Sequence, residues 1–418
     1  MTTGTPWITV VGIGDDGLDG LSPATRALID GADLLVGGDR HQAMVPVTRA
    51  ERLTWACGLT QAMDAIESWR GRRVVVLATG DPMCYGAGAN LARRFRPEEM
   101  RILPFPGAFT LAAARMGWSL PDVATLTVHG RPLEILALHL APGARLLVLS
   151  RDGKTPAQAA ALLTDRGYGP STLTVLEHLG GPRERRIDGI ADTWSAPRGA
   201  DLNTLAIRCR LAHGARPLAR VPGLPDDAFE NDGQLTKQAV RAATLAALAP
   251  LPGQLMWDVG SGSGSIAIEW LRSLPDWRLA ARGAARAIAI ERSPERCRAI
   301  AGNAARLGVP QLQVVEGEAP AILATLAPAP DSVFVGGGVA TPGLLEACWH
   351  AVASGGRLVA NAVTIEGAAR LFAFANCHGG ELSRIAVARA EPVGRLTAFR
   401  AQMEVTQLTV LKPGAPTT

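Results

Sequence analysis

Two α/β domains in series, built on mainly parallel sheets covered by helices, are the fold class this sequence predicts. Its length of 418 residues suits two or three domains at about 150 residues each. Apolar, strand-like runs alternate with helical patterns, the order that places helices over a parallel sheet. Twice such a run passes into a glycine-rich turn and then a helix.

The opening strand covers residues 7–11 and enters Gly12-Ile13-Gly14-Asp15-Asp16-Gly17. Its helix starts at Ser22-Pro23, an N-cap followed by proline at the first helical position. Further strands are expected at 74–78, 146–149, 172–176 and 204–207, with helices over 111–116 and 155–165. Residues 211–225 carry Gly214, Pro217, Pro222, Gly223 and Pro225 without periodicity. They read as a linker dividing a domain at 1–210 from one at 226–418. The second domain opens with a strand at 255–259, the turn Gly260-Ser261-Gly262-Ser263-Gly264 and a helix at 265–271. Strands at 287–291, 312–316, 332–335 and 358–361 continue the alternation.

Composition narrows the function. Hydrophobic residues at 47% and charged residues at 19% exclude a mainly disordered chain. A net charge of +4 without a basic block argues against nucleic acid as a partner. Lys154, Lys237 and Lys412 are the only lysines. A GC-rich genome gives such an arginine bias, and guanidinium forks also suit a substrate rich in carboxylates. The cysteines (Cys57, Cys84, Cys209, Cys297, Cys348 and Cys377) form no Cys-x-x-Cys pair, and the histidines show no ligand spacing. No metal and no disulfide framework are expected, and a reducing cytoplasm fits. The opening Met1-Thr2-Thr3-Gly4-Thr5-Pro6 shows no secretory signal. The run over 133–140 is broken by Glu134 and His139, short of the ~20 apolar residues of a membrane span. The expectation is a cytoplasmic protein with no membrane partner.

The second glycine loop points to S-adenosylmethionine. A dinucleotide loop reads G-x-G-x-x-G around a pyrophosphate. Here the third glycine comes one residue early, and Asp258 closes the strand. That carboxylate would repel a pyrophosphate and attract the cationic α-amino group of S-adenosylmethionine. Glu291, ending the next strand, suits a ribose diol, and Glu318-Ala319 after the third suits an adenine edge. This order resembles the class I methyltransferases over residues 250–411. The fourth strand ends in Gly336-Gly337-Gly338, without the Asn/Asp-Pro-Pro-aromatic turn of amino-directed methyltransferases. A carbon acceptor on a bulky flat substrate is expected there.

The first loop, Gly12-x-Gly14-x-x-Gly17 with Asp33 beyond it, matches a dinucleotide spacing and leaves open a nicotinamide oxidoreductase fused to a methylase. Three further segments weigh against that reading. They are Gly80-Asp81-Pro82, Leu103-Pro104-Phe105-Pro106-Gly107-Ala108-Phe109-Thr110 and Val128-His129-Gly130-Arg131. In this order they resemble the tetrapyrrole methylases (class III methyltransferases), whose donor lies between two α/β subdomains. Asp15 stands where that family usually has proline. The resemblance puts Gly12, Gly14, Gly80, Asp81, Pro82, Gly107 and Thr110 at the donor, with His129 and Arg131 at the substrate.

Both folds on one chain, with Gly223-Leu224-Pro225-Asp226-Asp227-Ala228-Phe229-Glu230 and Asp232-Gly233-Gln234-Leu235-Thr236-Lys237 before the class I core, resemble one bifunctional family. Its members methylate precorrin-6B (6Y) at C-5 and C-15 in cobalamin biosynthesis and release CO2 from the C-12 acetate, giving precorrin-8X. The resemblance implies C-5 methylation by the first domain, and C-15 methylation with decarboxylation by the second. It also implies two S-adenosylmethionine sites per chain, a small-molecule tetrapyrrole partner and a homo-oligomer. The same reactions on a cobalt-loaded substrate of the anaerobic route stay open. Thr236, Asp258, Gly260, Ser261, Gly262, Ser263, Gly264, Glu291, Glu318 and Ala319 would form the second donor site. Asp226, Asp227, Glu230 and Asp232 are candidate catalytic proton donors, and Gly337, Arg389 and Arg395 candidate substrate contacts.

Overall fold

The computed structural model describes residues 6–274 and 285–414. Residues 1–5, where the sequence shows no apolar leader, lie outside the described residues. The chain divides into two compact units. One runs to Leu133 and resumes over His139–Pro217, and the other holds Glu134–Leu138 and the chain from Leu218. No described helix is long and apolar enough to cross a membrane.

The first unit carries two sheets. β1 (Ile8–Ile13), β2 (Leu34–Val36), β3 (Glu51–Leu53), β4 (Val74–Thr79) and β5 (Met100–Leu103) form a parallel sheet in the order β3-β2-β4-β1-β5. Alternate side chains feed two cores, Ile8, Val10, Val36 and Val76 on one face and Val11, Ile13, Leu35 and Leu77 on the other. Both faces are covered, which is why these strands read as unbroken apolar runs. The helix Pro23–Asp30 starts where the sequence placed it, with Ser22 Oγ accepting the Thr25 N–H at 3.2 Å.

The second sheet departs from the expectation of parallel strands. It holds β6 (Ala124–Thr127), β7 (Arg145–Leu149), β8 (Thr172–Glu177), β9 (Arg185–Ile190) and β10 (Asn203–Arg208) in the order β6-β7-β10-β8-β9. Only β6 and β7 pair in parallel; β10 runs antiparallel to both neighbours and β9 antiparallel to β8. β9 bears Arg185, Arg186 and Asp188 on a largely exposed edge, so no apolar run announces it.

In the second unit, β11 (Leu255–Val259), β12 (Arg286–Glu291), β13 (Gln313–Glu316), β14 (Ser332–Val335) and β15 (Arg357–Ala362) run parallel. β16 (Glu381–Ile385) leads into a separate hairpin of β17 (Ala388–Val393) and β18 (Leu396–Ala401). The chain returns as β19 (Val405–Leu411), antiparallel between β15 and β16, giving the order β13-β12-β11-β14-β15-β19-β16. Strand order reverses between β11 and β14, and a crevice opens at such a switch point beyond the carboxyl ends of the strands.

Of the expected linker 211–225, the part from Leu218 packs on this second unit. Glu269, buried in the helix Ser265–Ser273, accepts the Leu224 N–H at 2.9 Å, the Gly223 N–H, and the Arg241 guanidinium at 2.6 Å. Arg241 is itself fully buried and donates to the carbonyls of Leu224 and Thr236 and to Asp226. One buried ion pair therefore fixes the segment 223–241 onto the second unit's own core. Glu269→Ala would strand the Arg241 charge in the interior, a loss of about 3–5 kcal/mol for a broken buried pair. Denaturant melts of the full chain should show that loss in the second unit; a change below ~1 kcal/mol would contradict the lock.

Candidate functional site

In the first unit the glycine loops after β1 and β4 and the loop after β5 meet backbone to backbone. A Cβ on Gly12 would lie 2.0 Å from the Gly80 carbonyl oxygen and 2.7 Å from the Phe105 nitrogen. A Cβ on Gly80 would lie 2.8 Å from Gly107 Cα. Three motifs far apart in sequence thus meet at one place, where glycine lets their backbones touch. Asp81 accepts the Met83 N–H at 2.8 Å and closes the Gly-Asp-Pro turn. Thr110 is exposed on the helix Ala108–Met116, and Arg131 lies over the Tyr85 ring of the same turn at 5.4 Å. His129 is exposed on the loop after β6.

Asp15, the residue in place of the family's proline, has a defined role that sequence spacing did not reveal. Its carboxylate accepts Arg40 at 2.8 Å and pairs with His178 Nδ1 at 3.1 Å, tying the glycine loop to the end of β8. Burial and then Arg40 push His41 down to about 4, so it meets Thr79 Oγ1, 2.9 Å away, as a neutral ring. The nicotinamide alternative loses its acid: Asp33 precedes β2, at the strand end away from the glycine loop, and pairs with Arg73 at 2.9 Å. The order β3-β2-β4-β1-β5 also differs from the dinucleotide fold, where the first strand adjoins the second.

The second unit holds a cleft of about 690 Å3 at its switch point, within the usual range for small-molecule sites. Gly260, Ser261, Gly262, Glu291, Glu318, Ala319, Thr236 and Gly337, separated in sequence, all line it. Gly260 has φ +69°, and a Cβ there would sit 2.9 Å from the backbone of Gly337, so the loops after β11 and β14 touch. A Cβ on Gly262 would lie 3.1 Å from the Gln234 carbonyl; the segment 233–237 crosses the glycine loop there. Glu291 accepts the Gly262 and Ser293 N–H groups, each at 3.0 Å, and so is held fixed on the cleft wall.

Asp258, Ser263 and Gly264 do not line the cleft. Ser263 and Gly264 make the turn into the helix. Asp258 lies fully buried beneath the loop, its Oδ2 accepting Ser261 Oγ at 2.8 Å and the Ala267 N–H at 3.1 Å. Its Oδ1 has no hydrogen-bond partner, and burial pushes its carboxyl up to about 6. A buried, unpartnered carboxylate oxygen below a loop whose glycines exclude side chains fits a cationic amino-acid nucleoside.

The four candidate proton donors lie outside the cleft lining. Asp226 pairs with buried Arg241 at 3.2 Å, and Asp232 pairs with Arg296 at 2.8 Å and caps the Gln234 N–H. Glu230 is exposed, its backbone bonded to Asn303, and Asp227 sits in the same short turn as Asp226. The carboxylates of Asp226 and Asp232 tie the segment before the helix Gln238–Leu248 to Arg241 and Arg296. Arg389 and Arg395 are exposed in the β17–β18 hairpin, away from the lining. Residues the sequence did not single out complete the wall. Asn361, at the end of β15, lines the cleft while donating to Thr244 Oγ1 at 2.8 Å and accepting from Gln407 at 2.9 Å. The partner Gln407 comes from β19, a strand with no forewarning in the sequence.

The Asp258 carboxyl is held above its ordinary value of 3.8, so the folded state keeps its proton more tightly than the unfolded chain. Its contribution therefore turns destabilising as pH rises from about 4 to about 6, reaching on the order of 3 kcal/mol. Asp258→Asn should match or exceed the wild type in thermal stability at neutral pH yet bind S-adenosylhomocysteine more weakly. A variant less stable at neutral pH, with affinity intact, would contradict this assignment.

Comparison with known proteins agrees with both units. Residues 8–193 match the Tetrapyrrole (Corrin/Porphyrin) Methylases, and residues 227–412 match the Precorrin methyltransferase domain. A Precorrin-6Y C(5,15)-methyltransferase (decarboxylating) of Sinorhizobium sp is 47% identical over 403 residues, covering 96% of this chain and 95% of that one. The protein of the same name from Mycobacterium tuberculosis is 43% identical over 410 residues, covering 97% and 100%. The crystal structure of the C-terminal domain of precorrin-6Y C5,15-methyltransferase from Rhodobacter capsulatus is 42% identical. It covers 47% of this chain and 100% of that chain, with a TM-score of 0.42. The chain is a methyltransferase and belongs to the family of decarboxylating precorrin-6Y C5,15-methyltransferases.

Proposed function

We propose that the chain methylates precorrin-6B (6Y) at C-5 through its first unit and at C-15 through its second. The second unit also releases CO2 from the C-12 acetate, to give precorrin-8X. The observation that carries this reading is a separate meeting of glycine loops in each unit, Gly12–Gly80–Gly107 in one and Gly260–Gly337 in the other. Full-length likeness to decarboxylating relatives supports the pairing of two methylations with loss of CO2.

S-adenosylmethionine, when bound, supplies a methyl group already activated on a sulfonium. What remains for the protein is alignment and exclusion of water. Glu291 would hold the ribose, Glu318 and Ala319 the adenine, and buried Asp258 would favour the cationic end through the loop it supports. Val259, Ile290, Phe334 and Leu344 give the cleft an apolar lining, suited to a transition state in which charge spreads rather than forms. At each meso carbon a methyl group is gained and the ring proton lost. At C-12 the bond to the carboxylate breaks, CO2 leaves, the electron pair enters the conjugated ring and a proton completes the remaining methyl group.

The same reading includes a cytoplasmic homo-oligomer. Its support is the β17–β18 hairpin, where Val393, Leu396 and Phe399 are 59%, 77% and 80% exposed, a concentration of apolar surface typical of an interface. Leu396→Glu with Phe399→Glu should lower the mass measured by light scattering; an unchanged mass would exclude the hairpin as the interface.

Gly262→Arg separates the two activities. With metal-free precorrin-6B and donor, the full-length variant should release no CO2 while the first unit still binds S-adenosylhomocysteine. A variant that still decarboxylates would overturn the division of labour.

A further inference from the structure

The cleft of the second unit has three cations on its wall, and they differ in one respect. Arg296 is paired with Asp232 at 2.8 Å, and Arg292 lies 3.7 Å from Glu318. Lys237 also lines the cleft, and its ammonium has no carboxylate or hydrogen-bond partner among the described residues. It is one of only three lysines in the chain.

The position of Lys237 is built rather than incidental. It is the N-cap residue of the helix Gln238–Leu248, with no side-chain cap, so the free amides of the first helical turn lie beside it. The carbonyl of the preceding Thr236 accepts a bond from Arg241, which Glu269 holds in the interior. The same segment packs over Gly262 through the Gln234 carbonyl. Val240 and Thr244 continue the stripe that Lys237 begins, Val240 on the cleft wall and Thr244 bonded to Asn361 deeper in it. Lys237 thus stands, exposed, on a wall whose other polar groups are already oriented.

We propose that Lys237 is the carboxylate anchor of the second cleft, a positioning residue for the reaction there. The proposal rests on the reading of this cleft as the decarboxylating methyltransferase site. Two carboxylates are available to it: that of the donor's methionine tail and those on the acetate and propionate arms of the tetrapyrrole. The chemistry is the same, a charge-assisted hydrogen bond to an oxygen pair.

The test uses the full-length protein as wild type, Lys237→Met and Lys237→Arg, with Gly262→Arg defining which nucleoside binding belongs to this cleft. Calorimetry measures S-adenosylhomocysteine and methylthioadenosine, which lacks the amino-acid tail, and CO2 release measures KM for precorrin-6B. If the anchor holds the donor, Lys237→Met weakens S-adenosylhomocysteine about tenfold or more and leaves methylthioadenosine unchanged. If it holds the acceptor, both nucleosides bind as before while KM rises about tenfold or more. In either case Lys237→Arg recovers most of the loss. Unchanged affinity together with unchanged KM overturns the proposal, as does an equal weakening of both nucleosides, which would place Lys237 on the nucleoside or on the fold. A wild type with no binding sensitive to Gly262→Arg would instead overturn the reading of the cleft itself.

Discussion

Backbone contact between loops at the carboxyl ends of the strands is the constraint on which both candidate sites depend. In the first unit Gly12, Gly80 and Gly107 close to distances no Cβ tolerates, and in the second Gly260 meets Gly337 in the same way. The two sheets have different strand orders, so the shared feature is not a shared fold. It is a physical solution: removing side chains where strands end leaves a floor of amides and carbonyls that a polar nucleoside can approach closely.

Buried carboxylates do different work from exposed ones in the second unit. Asp258, Glu269 and Glu291 each accept backbone N–H groups and so fix the loops that carry the site. For Asp258 the result is a group held in an unfavourable environment, with one oxygen unpartnered, as is common where binding rather than stability is served. Asp226 and Asp232 instead pair with arginines, the buried Arg241 and the partly exposed Arg296. Residue type alone suggested proton donors there; in the structure both carboxylates are ion-paired and stand outside the cleft lining.

Much of this was legible before any coordinates. The glycine turns, the acids after β11 and β12, and the helix over Thr155–Asp165 follow from local chemistry that acts on neighbouring residues. The strands β8 and β11 were visible because their apolar runs are buried on both faces. β9, β17 and β18 were not, since Arg185, Arg186, Arg389 and Arg400 sit on exposed strands with no apolar alternation. The antiparallel return of β10 and β19 depends on long-range pairing, which a local pattern does not encode. The same limit hid the Thr244–Asn361–Gln407 network, whose members lie on three elements. It also hid the burial of Asp258, because strand alternation tells which residues face inward but not how deep a loop will lie over them.

We propose that each unit holds one sulfonium nucleoside. The stoichiometry of S-adenosylhomocysteine on the full-length protein, measured by calorimetry together with a ligand-soaked crystal, tests it most directly. Two molecules per chain are expected, one over Gly12, Gly80 and Gly107 and one over Gly260 and Gly262. A single molecule per chain, or a nucleoside seated away from either glycine floor, would contradict it.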